Sequence, residues 1–230
     1  QIDGKNIQAE EGKNLMLVAR ENGVFIPSLC YYEHIEPPLG SCRVCTCKLN
    51  GKHGPACTEK VSEGLVVEVN SPELIDTRKA LVEMMFAEGN HICPSCEKTG
   101  NCKLQAMAYH LGMLDDHFPQ FYPHRELDAS HPDILLDLNR CILCELCVRA
   151  SREVDGKNVF AIAGHGIAAH LVVNSESGRL ADTDFASTDR AASVCPVGVI
   201  LPKRRGFVIP IGQRRYDEGT AADTDRQEAS

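Results

Sequence analysis

Short apolar runs alternate with turn signals in the first 70 residues, and this pattern predicts a small α+β domain. The Asp3-Gly4 and Asn50-Gly51 dipeptides each lie between apolar stretches, as in tight hairpin turns. An apolar face that includes Leu15 recurs at helical period and ends at Asn22-Gly23, which predicts a helix. Strand-like alternation follows at 44–49 and at 65–69.

Two longer patterns after residue 70 predict helices. Ser71-Pro72-Glu73 has the composition of a helix start, in which the serine hydroxyl accepts a backbone N–H and proline occupies the first turn. Apolar positions then recur at helical period as far as Gly89, and a second helix is expected at about 103–111. The proline-rich segment 115–133 is predicted to be a linker, and the acidic tail 216–230 is predicted to be flexible.

The amino-acid composition, and above all the number of cysteines, indicates a metal-binding protein. The 230 residues are 43% apolar, contain no Trp and carry a net charge of −8, which excludes a disordered chain and argues against a general nucleic-acid binder. No apolar run reaches the roughly 18 residues of a membrane span, and the N-terminus lacks signal-peptide features. Twelve cysteines in tight spacings predict, in a reducing cytoplasm, metal binding rather than disulfides.

The first cysteine group has the spacing Cys30-x11-Cys42-x2-Cys45-x11-Cys57. Four thiolates suit either a structural zinc ion or a 2Fe-2S cluster. The hairpin, helix and strands predicted around them favour the cluster, because a zinc ribbon does not need a β-grasp-like domain. Cys47 is left over and is interpreted as a small buried apolar residue.

The second group, His91-x-Cys93-x2-Cys96-x5-Cys102, offers three thiolates and one imidazole. Three thiolates leave a 4Fe-4S cluster one ligand short, and His91 is the nearest candidate. A neutral imidazole in place of a thiolate would raise the cluster's reduction potential. Proximity alone does not separate a ligand from a structural histidine, and a zinc site with three thiolates and one imidazole fits the same residues.

The third group is Cys141-x2-Cys144-x2-Cys147, followed after 47 residues by Cys195-Pro196. This arrangement is typical of a 4Fe-4S centre in a bacterial ferredoxin. A second cluster in the same template would need cysteines at four positions that hold Ser151, Phe185, Thr188 and Ala191. We therefore expect one 4Fe-4S cluster in this region. The three groups then use eleven cysteines and one histidine.

One further motif points to a different chemistry. The stretch Gly164–Ala169 fits the dinucleotide fingerprint G-x-G-x-x-A, and Asp184 lies 20 residues after its first glycine. However, residues 171–174 have strand rather than helix character, so we interpret the motif as a β-hairpin. No nucleophile–base pair or carboxylate pair stands out in the sequence, and no catalytic residue is assigned.

The order of the three groups resembles the cluster-bearing N-terminal part of the largest peripheral-arm subunit of respiratory complex I. The stretches Glu88–Lys98 and Leu201–Arg215 are similar to the small diaphorase-type iron-sulfur subunit of soluble NAD-reducing NiFe hydrogenases. In the complex I pattern, H-x3-C, the histidine would stand at Gly89, whereas this chain has H-x-C. The resemblance implies that His91 is the fourth ligand of the second group.

The resemblance also implies a fold of class α+β. A β-grasp 2Fe-2S ferredoxin-like domain would occupy 1–71, and a helical 4Fe-4S segment with one His and three Cys ligands would occupy 72–114. The linker 115–133 would lead to a bacterial-ferredoxin-like domain with one 4Fe-4S cluster at 134–215, before the flexible tail 216–230.

The function implied by the resemblance is electron transfer in a cytoplasmic multisubunit oxidoreductase. Such a subunit relays electrons between the hydrogenase small and large (NiFe) subunits and the large diaphorase subunit, which binds FMN and NAD. Oxidation of H2 is thereby coupled reversibly to reduction of NAD. A basic patch, Arg204, Arg205, Arg214 and Arg215, would dock an acidic partner face or form a solvated surface.

Two alternative functions fit the same residues. The first is an equivalent relay subunit of an NAD-dependent formate dehydrogenase, a bidirectional hydrogenase or a complex I-like enzyme, since these use the same clusters. The second is a zinc-stabilised adaptor without redox activity, since thiolates and imidazole also hold zinc.

Overall fold

A computed structural model describes residues 1–228, with side-chain environments up to residue 224. Within this range the fold comprises three small antiparallel sheets and six α-helices. No helix in this range is both long and apolar enough to cross a membrane. One buried cluster lies in the N-terminal region, and a larger one includes cysteines from all three groups.

The N-terminal region is a three-stranded sheet packed with one helix. Helix α1 (Leu15–Glu21) begins where Asn14 Oδ1 accepts a hydrogen bond from the N–H of Met16, and it ends at Gly23 with φ +74°. The sheet has the order β2-β1-β3, with β1 at Thr46–Leu49, β2 at Lys52–Pro55 and β3 at Val67–Glu68. The predicted turn at Asn50-Gly51 joins β1 to β2, with both residues at positive φ.

Two helices flank the second cysteine group, as the sequence predicts. Helix α2 (Pro72–Glu88) ends at Gly89, and α3 (Lys103–His110) packs against it. One detail of the prediction is wrong, because the Ser71 hydroxyl does not cap α2. It is buried without a hydrogen-bond partner, and Ser71 contributes only its carbonyl oxygen to the N–H of Ile75.

The third cysteine group lies between a sheet and a pair of short helices. The sheet has the order β4-β5-β8, with β4 at Leu127–Asp128, β5 at Ile134–Asp137 and β8 at Ile200–Pro202. Helix α4 (Leu146–Arg149) continues into a π-helical turn at Ala150–Val154, and it contacts α5 (Arg190–Ser193).

The glycine motif forms a β-hairpin, as predicted. Strand β6 (Phe160–Ala163) pairs with β7 (His170–Val173) in antiparallel register. Gly164 has φ +75°, and a Cβ atom there would lie 2.3 Å from the carbonyl oxygen of Ala168. The positive φ and the close approach of the Ala168 carbonyl account for the glycine at this position of the hairpin.

The described part of the tail is more ordered than the sequence predicts. Arg214 forms an ion pair with Asp217 at 2.6 Å, and the N–H of Tyr216 donates to the carbonyl oxygen of Gly100. Helix α6 (Ala221–Glu228) then packs against α3, with Ala221 and Ala222 buried. The buried side chains here are small, Ala221, Ala222 and Thr224, so the segment shows no apolar stripe in the sequence. Residues 229 and 230 lie outside the described residues.

Three candidate metal centres

The four thiols of the first group lie together in the interior, where they hydrogen bond to each other. Cys30, Cys42, Cys45 and Cys57 are each at most 6% exposed. Hydrogen bonds from the thiols of Cys42 and Cys57 lower the pKa of Cys30 to about 2. Cys57 also lowers the pKa of Cys45 in the same way. These hydrogen bonds favour the thiolate form at Cys30 and Cys45, which is the form that binds metal, and they raise the pKa of their partners Cys42 and Cys57.

The backbone of the ligand loop contributes further donors to these sulfurs. The N–H of Cys42 lies 3.4 Å from Sγ of Cys30. Gly40 supports the loop with φ +66°, and a Cβ atom there would lie 3.3 Å from both Pro55 and Thr58. N–H groups aimed at sulfur are a recognised feature of thiolate-bound iron-sulfur centres.

A buried guanidinium lies beside the first group. Arg78 is 1% exposed and reaches from α2 to the carbonyl oxygen of Thr46, at 2.8 Å, and to Sγ of Cys47, at 3.5 Å. Burial raises the pKa of Cys47 to about 12, so this thiol stays protonated, and its Sγ points to the carbonyl oxygen of Cys45. The sequence gives no sign of Arg78, because a basic residue in a helix is usually exposed.

The three thiols of the second group also come together. A short 3-10 turn at Cys93–Ser95 brings the N–H of Cys96 to the carbonyl oxygen of Cys93. Burial, with a smaller contribution from the charges of Cys93 and Cys96, raises the pKa of Cys102 to about 12. Cys93 and Cys96 are half-buried, so this group is closer to the surface than the first.

His91 has a buried nitrogen without a hydrogen-bond partner. Its Nε2 atom is shielded from solvent. Burial is the main cause that lowers the pKa of the imidazole to about 4, and the positive charge of Arg140 contributes to the same shift. The ring packs edge-on against Phe86 at 5.3 Å. A neutral imidazole whose buried nitrogen has no hydrogen-bond partner fits a metal ligand. The charged groups that influence its pKa are Arg140 and Asp137 rather than the thiols of the second group.

The third group lines one small cavity with all four of its cysteines. The other lining residues are mainly apolar, and include Ile142, Leu171 and Val197. Leu143 and Glu145 have φ values of +52° and +59°, and these left-handed positions turn the C-x2-C-x2-C segment around the cavity. Burial raises the pKa of Cys141 to about 11 and that of Cys144 and Cys147 well above the usual value.

The positions that a second cluster would need are filled by packing and hydrogen bonds. Phe185 is buried and packs edge-on against Phe160, with ring centroids 5.5 Å apart. Ser151 is buried and its Oγ accepts the N–H of Val159, while Ala191 is fully buried. Thr188 is exposed. Packed side chains therefore occupy most of the positions at which a ferredoxin with two clusters has the ligands of its second cluster.

The first and third groups are neighbours in space although the second lies between them in the chain. Burial is the main cause that raises the pKa of Cys144, and the Cys30 thiol is close enough for its charge to add to the shift. Arg149, two residues after Cys147, donates from Nη2 to the carbonyl oxygen of Ile35 at 2.8 Å and also to that of Pro37. This buried arginine fixes the third group against the loop that carries Cys30.

The second and third groups are also in direct contact. The N–H of Lys103, next to Cys102, donates to the carbonyl oxygen of Pro196, next to Cys195, at 2.8 Å. The Nη1 atom of Arg140, next to Cys141, lies 3.3 Å from Sγ of Cys96. The third group therefore contacts both of the others, although it comes last in the sequence.

These sets fit polynuclear iron-sulfur centres by their chemistry. Four thiolates are the usual donor set of such a centre, and histidine replaces cysteine in some of them. In the part of the chain that the structure describes, no three His, Cys, Asp or Glu side chains converge as they would on a single metal ion.

The predicted basic patch is largely engaged within the chain. Arg204 donates to the carbonyl oxygen of Pro132 at 3.2 Å, and Arg214 is paired with Asp217. Arg215 lies over the ring of Tyr216. Arg205 is exposed and lines a surface cavity with Glu97.

Three known families match the chain in the order of the cysteine groups. Residues 1–72 match the 2Fe-2S iron-sulfur cluster binding domain, and residues 78–117 match the iron-sulfur binding region of NADH-ubiquinone oxidoreductase-G. Residues 134–201 match the 4Fe-4S single cluster domain. The last match agrees with the filled second site described above.

Comparison with whole proteins decides the family. The chain is 48% identical to the gamma subunit of the NAD-reducing hydrogenase HoxS of Cupriavidus necator, over 94% of this chain and 92% of that subunit. The chain belongs to the HoxS gamma subunit family. A crystal structure of NAD+-reducing [NiFe]-hydrogenase in the H2-reduced state contains a chain that is 47% identical, with a TM-score of 0.93 and coverage of 98% and 97%.

The chain is also similar to part of a larger subunit of NADH-quinone oxidoreductase. One subunit of the NADH-quinone oxidoreductase of Rhizobium meliloti is 33% identical over 87% of this chain, which spans 23% of that larger protein. Membership of the HoxS gamma family confirms the predicted fold class, the set of one 2Fe-2S and two 4Fe-4S clusters, and a subunit role in an oxidoreductase complex. The individual ligands and domain bounds stay predictions.

Proposed function

We propose that this chain is the electron-relay subunit of a cytoplasmic NAD-reducing NiFe hydrogenase. It would carry electrons between a hydrogenase module, made of a small and a large NiFe subunit, and a diaphorase subunit that binds FMN and NAD. The observation that carries the proposal is that the third donor set contacts both of the others, through Arg149 to the loop of the first and through Arg140 to Cys96 of the second. A relay needs such continuity, whereas an adaptor does not.

The proposed ligands are the twelve residues of the three groups. The 2Fe-2S centre would be held by Cys30, Cys42, Cys45 and Cys57. One 4Fe-4S centre would be held by His91, Cys93, Cys96 and Cys102, and the other by Cys141, Cys144, Cys147 and Cys195. Bound iron-sulfur clusters supply one-electron carriers. The protein contributes deprotonated sulfurs, N–H donors and an apolar surround that excludes water.

The contacts between the groups indicate the order in which the three centres would be arranged in space. Arg149 joins the third group to the loop that carries Cys30, and Arg140 joins it to Cys96, so the third group would lie between the other two. The 2Fe-2S centre would then stand at one end of the series, on the main path rather than on a side branch. Each end of the series would exchange electrons with a different partner module.

Copurification tests this proposal most simply. The chain would be tagged in its own organism and isolated under anaerobic conditions, and its companion subunits would be identified by mass spectrometry. We expect hydrogenase small and large subunits, a flavin-containing diaphorase subunit, and H2-dependent reduction of NAD+. Recovery of a formate dehydrogenase with formate-dependent NAD+ reduction would instead support the alternative relay. Recovery of a colourless zinc protein would contradict any relay function.

A further inference from the structure

Arg140 contacts two of the proposed ligand groups at once. Its Nη1 atom lies 3.3 Å from Sγ of Cys96 in the second group. The same atom lies 3.5 Å from the carbonyl oxygen of Gly198, three residues after Cys195 in the third group. The backbone of Arg140 directly precedes Cys141, which is another member of the third group.

Two carboxylates hold the guanidinium in this position. Asp137 Oδ2 lies 2.6 Å from Nε, and Glu97 Oε2 lies 3.1 Å from Nη1. The side chains of Arg140 and Asp137 are only 18% and 11% exposed, so water screens the interaction weakly. The rigid fork of the guanidinium lets it contact both carboxylates and the sulfur together.

Gly198 makes room for this contact. A Cβ atom there would lie 3.1 Å from Nη1 of Arg140 and 3.2 Å from Sγ of Cys96. A side chain at this position would therefore press on both atoms of the Arg140–Cys96 hydrogen bond. An alanine here would force one of these two atoms to shift by a few tenths of an ångström.

We propose that Arg140 is a positioning residue of the relay, which raises the reduction potential of the His91–Cys102 centre relative to that of the Cys141–Cys195 centre. A cation hydrogen-bonded to a ligand sulfur stabilises the reduced centre, because reduction adds negative charge beside it. The second group has this direct contact with its sulfur, whereas the guanidinium meets only a backbone carbonyl near the third. Electron transfer from the third centre to the second is thereby favoured. The inference rests on the proposed ligand sets.

The test is a redox titration of the full chain with its clusters, followed by electron paramagnetic resonance. The signal of the second centre is identified by its nitrogen coupling to the imidazole. In Arg140→Gln, the equilibrium constant for reduction of the second centre should fall at least tenfold, or about 59 mV for one electron. The third centre should shift by less. Arg140→Lys keeps the charge but not the fork, and should give a smaller fall.

Matched variants separate this role from a general effect of charge. Arg152→Gln removes the same charge from an exposed residue that pairs with Glu153, and should leave both potentials unchanged. Gly198→Ala keeps every charge but presses on the contact, and should lower the potential of the second centre only. If Arg140→Gln does not fold, Arg140→Lys and Gly198→Ala decide the question.

Two results would overturn the inference. The first is an unchanged reduction potential of the second centre in Arg140→Gln with its full iron content. If Arg140→Gln does not fold, the same result in both Arg140→Lys and Gly198→Ala would count equally. The second is an equal fall at both centres. Either result would leave the proposed function intact, since the parent chain would still carry its three centres. A parent chain that binds zinc instead of iron would overturn the proposed function as well.

Discussion

The imidazole of His91 lies over Gly89, so closely that a Cβ atom at residue 89 would be 2.4 Å from Nε2. The imidazole therefore occupies the space where a side chain from residue 89 would start. In the complex I pattern the histidine itself stands at that position. In this chain the histidine is only two residues before Cys93, and its imidazole folds back to the region of residue 89.

Gly89→Ala should displace His91 from its position. Gly89 has φ −114°, which alanine adopts without strain, so the added methyl group acts only through its clash with the ring. We expect the nitrogen coupling of the second centre to weaken or disappear in pulsed electron paramagnetic resonance, while the other two centres keep their signals. An unchanged nitrogen coupling would show that the imidazole is not held against Gly89 in the loaded protein.

His91→Cys should lower the reduction potential of the second centre. A thiolate adds a negative charge where the imidazole is neutral, and the potential is expected to fall by on the order of 100 mV. The measurement is a redox titration of the full chain, and iron content should be unchanged. If the spectrum and the potential both stay as in the parent, His91 is not a ligand.

Cys47→Ala should leave the iron content at about ten atoms, two in the 2Fe-2S centre and four in each 4Fe-4S centre. Its thiol is protonated and packed against Arg78 rather than directed into the first group. Loss of the sulfur should cost about 1 kcal/mol of unfolding free energy, as for a buried methyl group. The matched variant Cys45→Ala should lose the 2Fe-2S signal. Loss of that signal in Cys47→Ala would assign the ligands differently.

The short C-x2-C spacings indicated the centre of each proposed donor set, whereas Cys195, separated from Cys147 by 47 residues, was assigned from the ferredoxin pattern with its distant Cys-Pro. The helices α1, α2 and α3 were predicted because apolar residues recur along them at helical period, although the buried face of α2 also includes Arg78 and Glu83. The sequence could not reveal the order of the groups in space, since this depends on contacts such as Arg149 with Ile35. Arg78 and Arg140 were missed for the same reason, although Arg140 directly precedes a ligand.

Phe185→Ala should destabilise the third region without loss of iron. Phe185 is 5% exposed and packs against Phe160 and His131 in the place of an absent second cluster. Truncation of a buried phenylalanine costs about 3–5 kcal/mol, which thermal or denaturant unfolding would detect. Iron analysis should still give about ten atoms. A count near fourteen in the parent chain would show that this region holds a second cluster.

Electrons are proposed to pass through this chain between two catalytic modules. The most direct measurement compares the coupled reaction with its two halves in the purified complex carrying Cys144→Ala, which removes a ligand from the middle of the series. We predict that H2-dependent NAD+ reduction is lost, while H2-dependent and NADH-dependent dye reduction both persist, and that Cys47→Ala retains all three activities. Coupled activity that persists in an assembled complex without the third centre would contradict the relay.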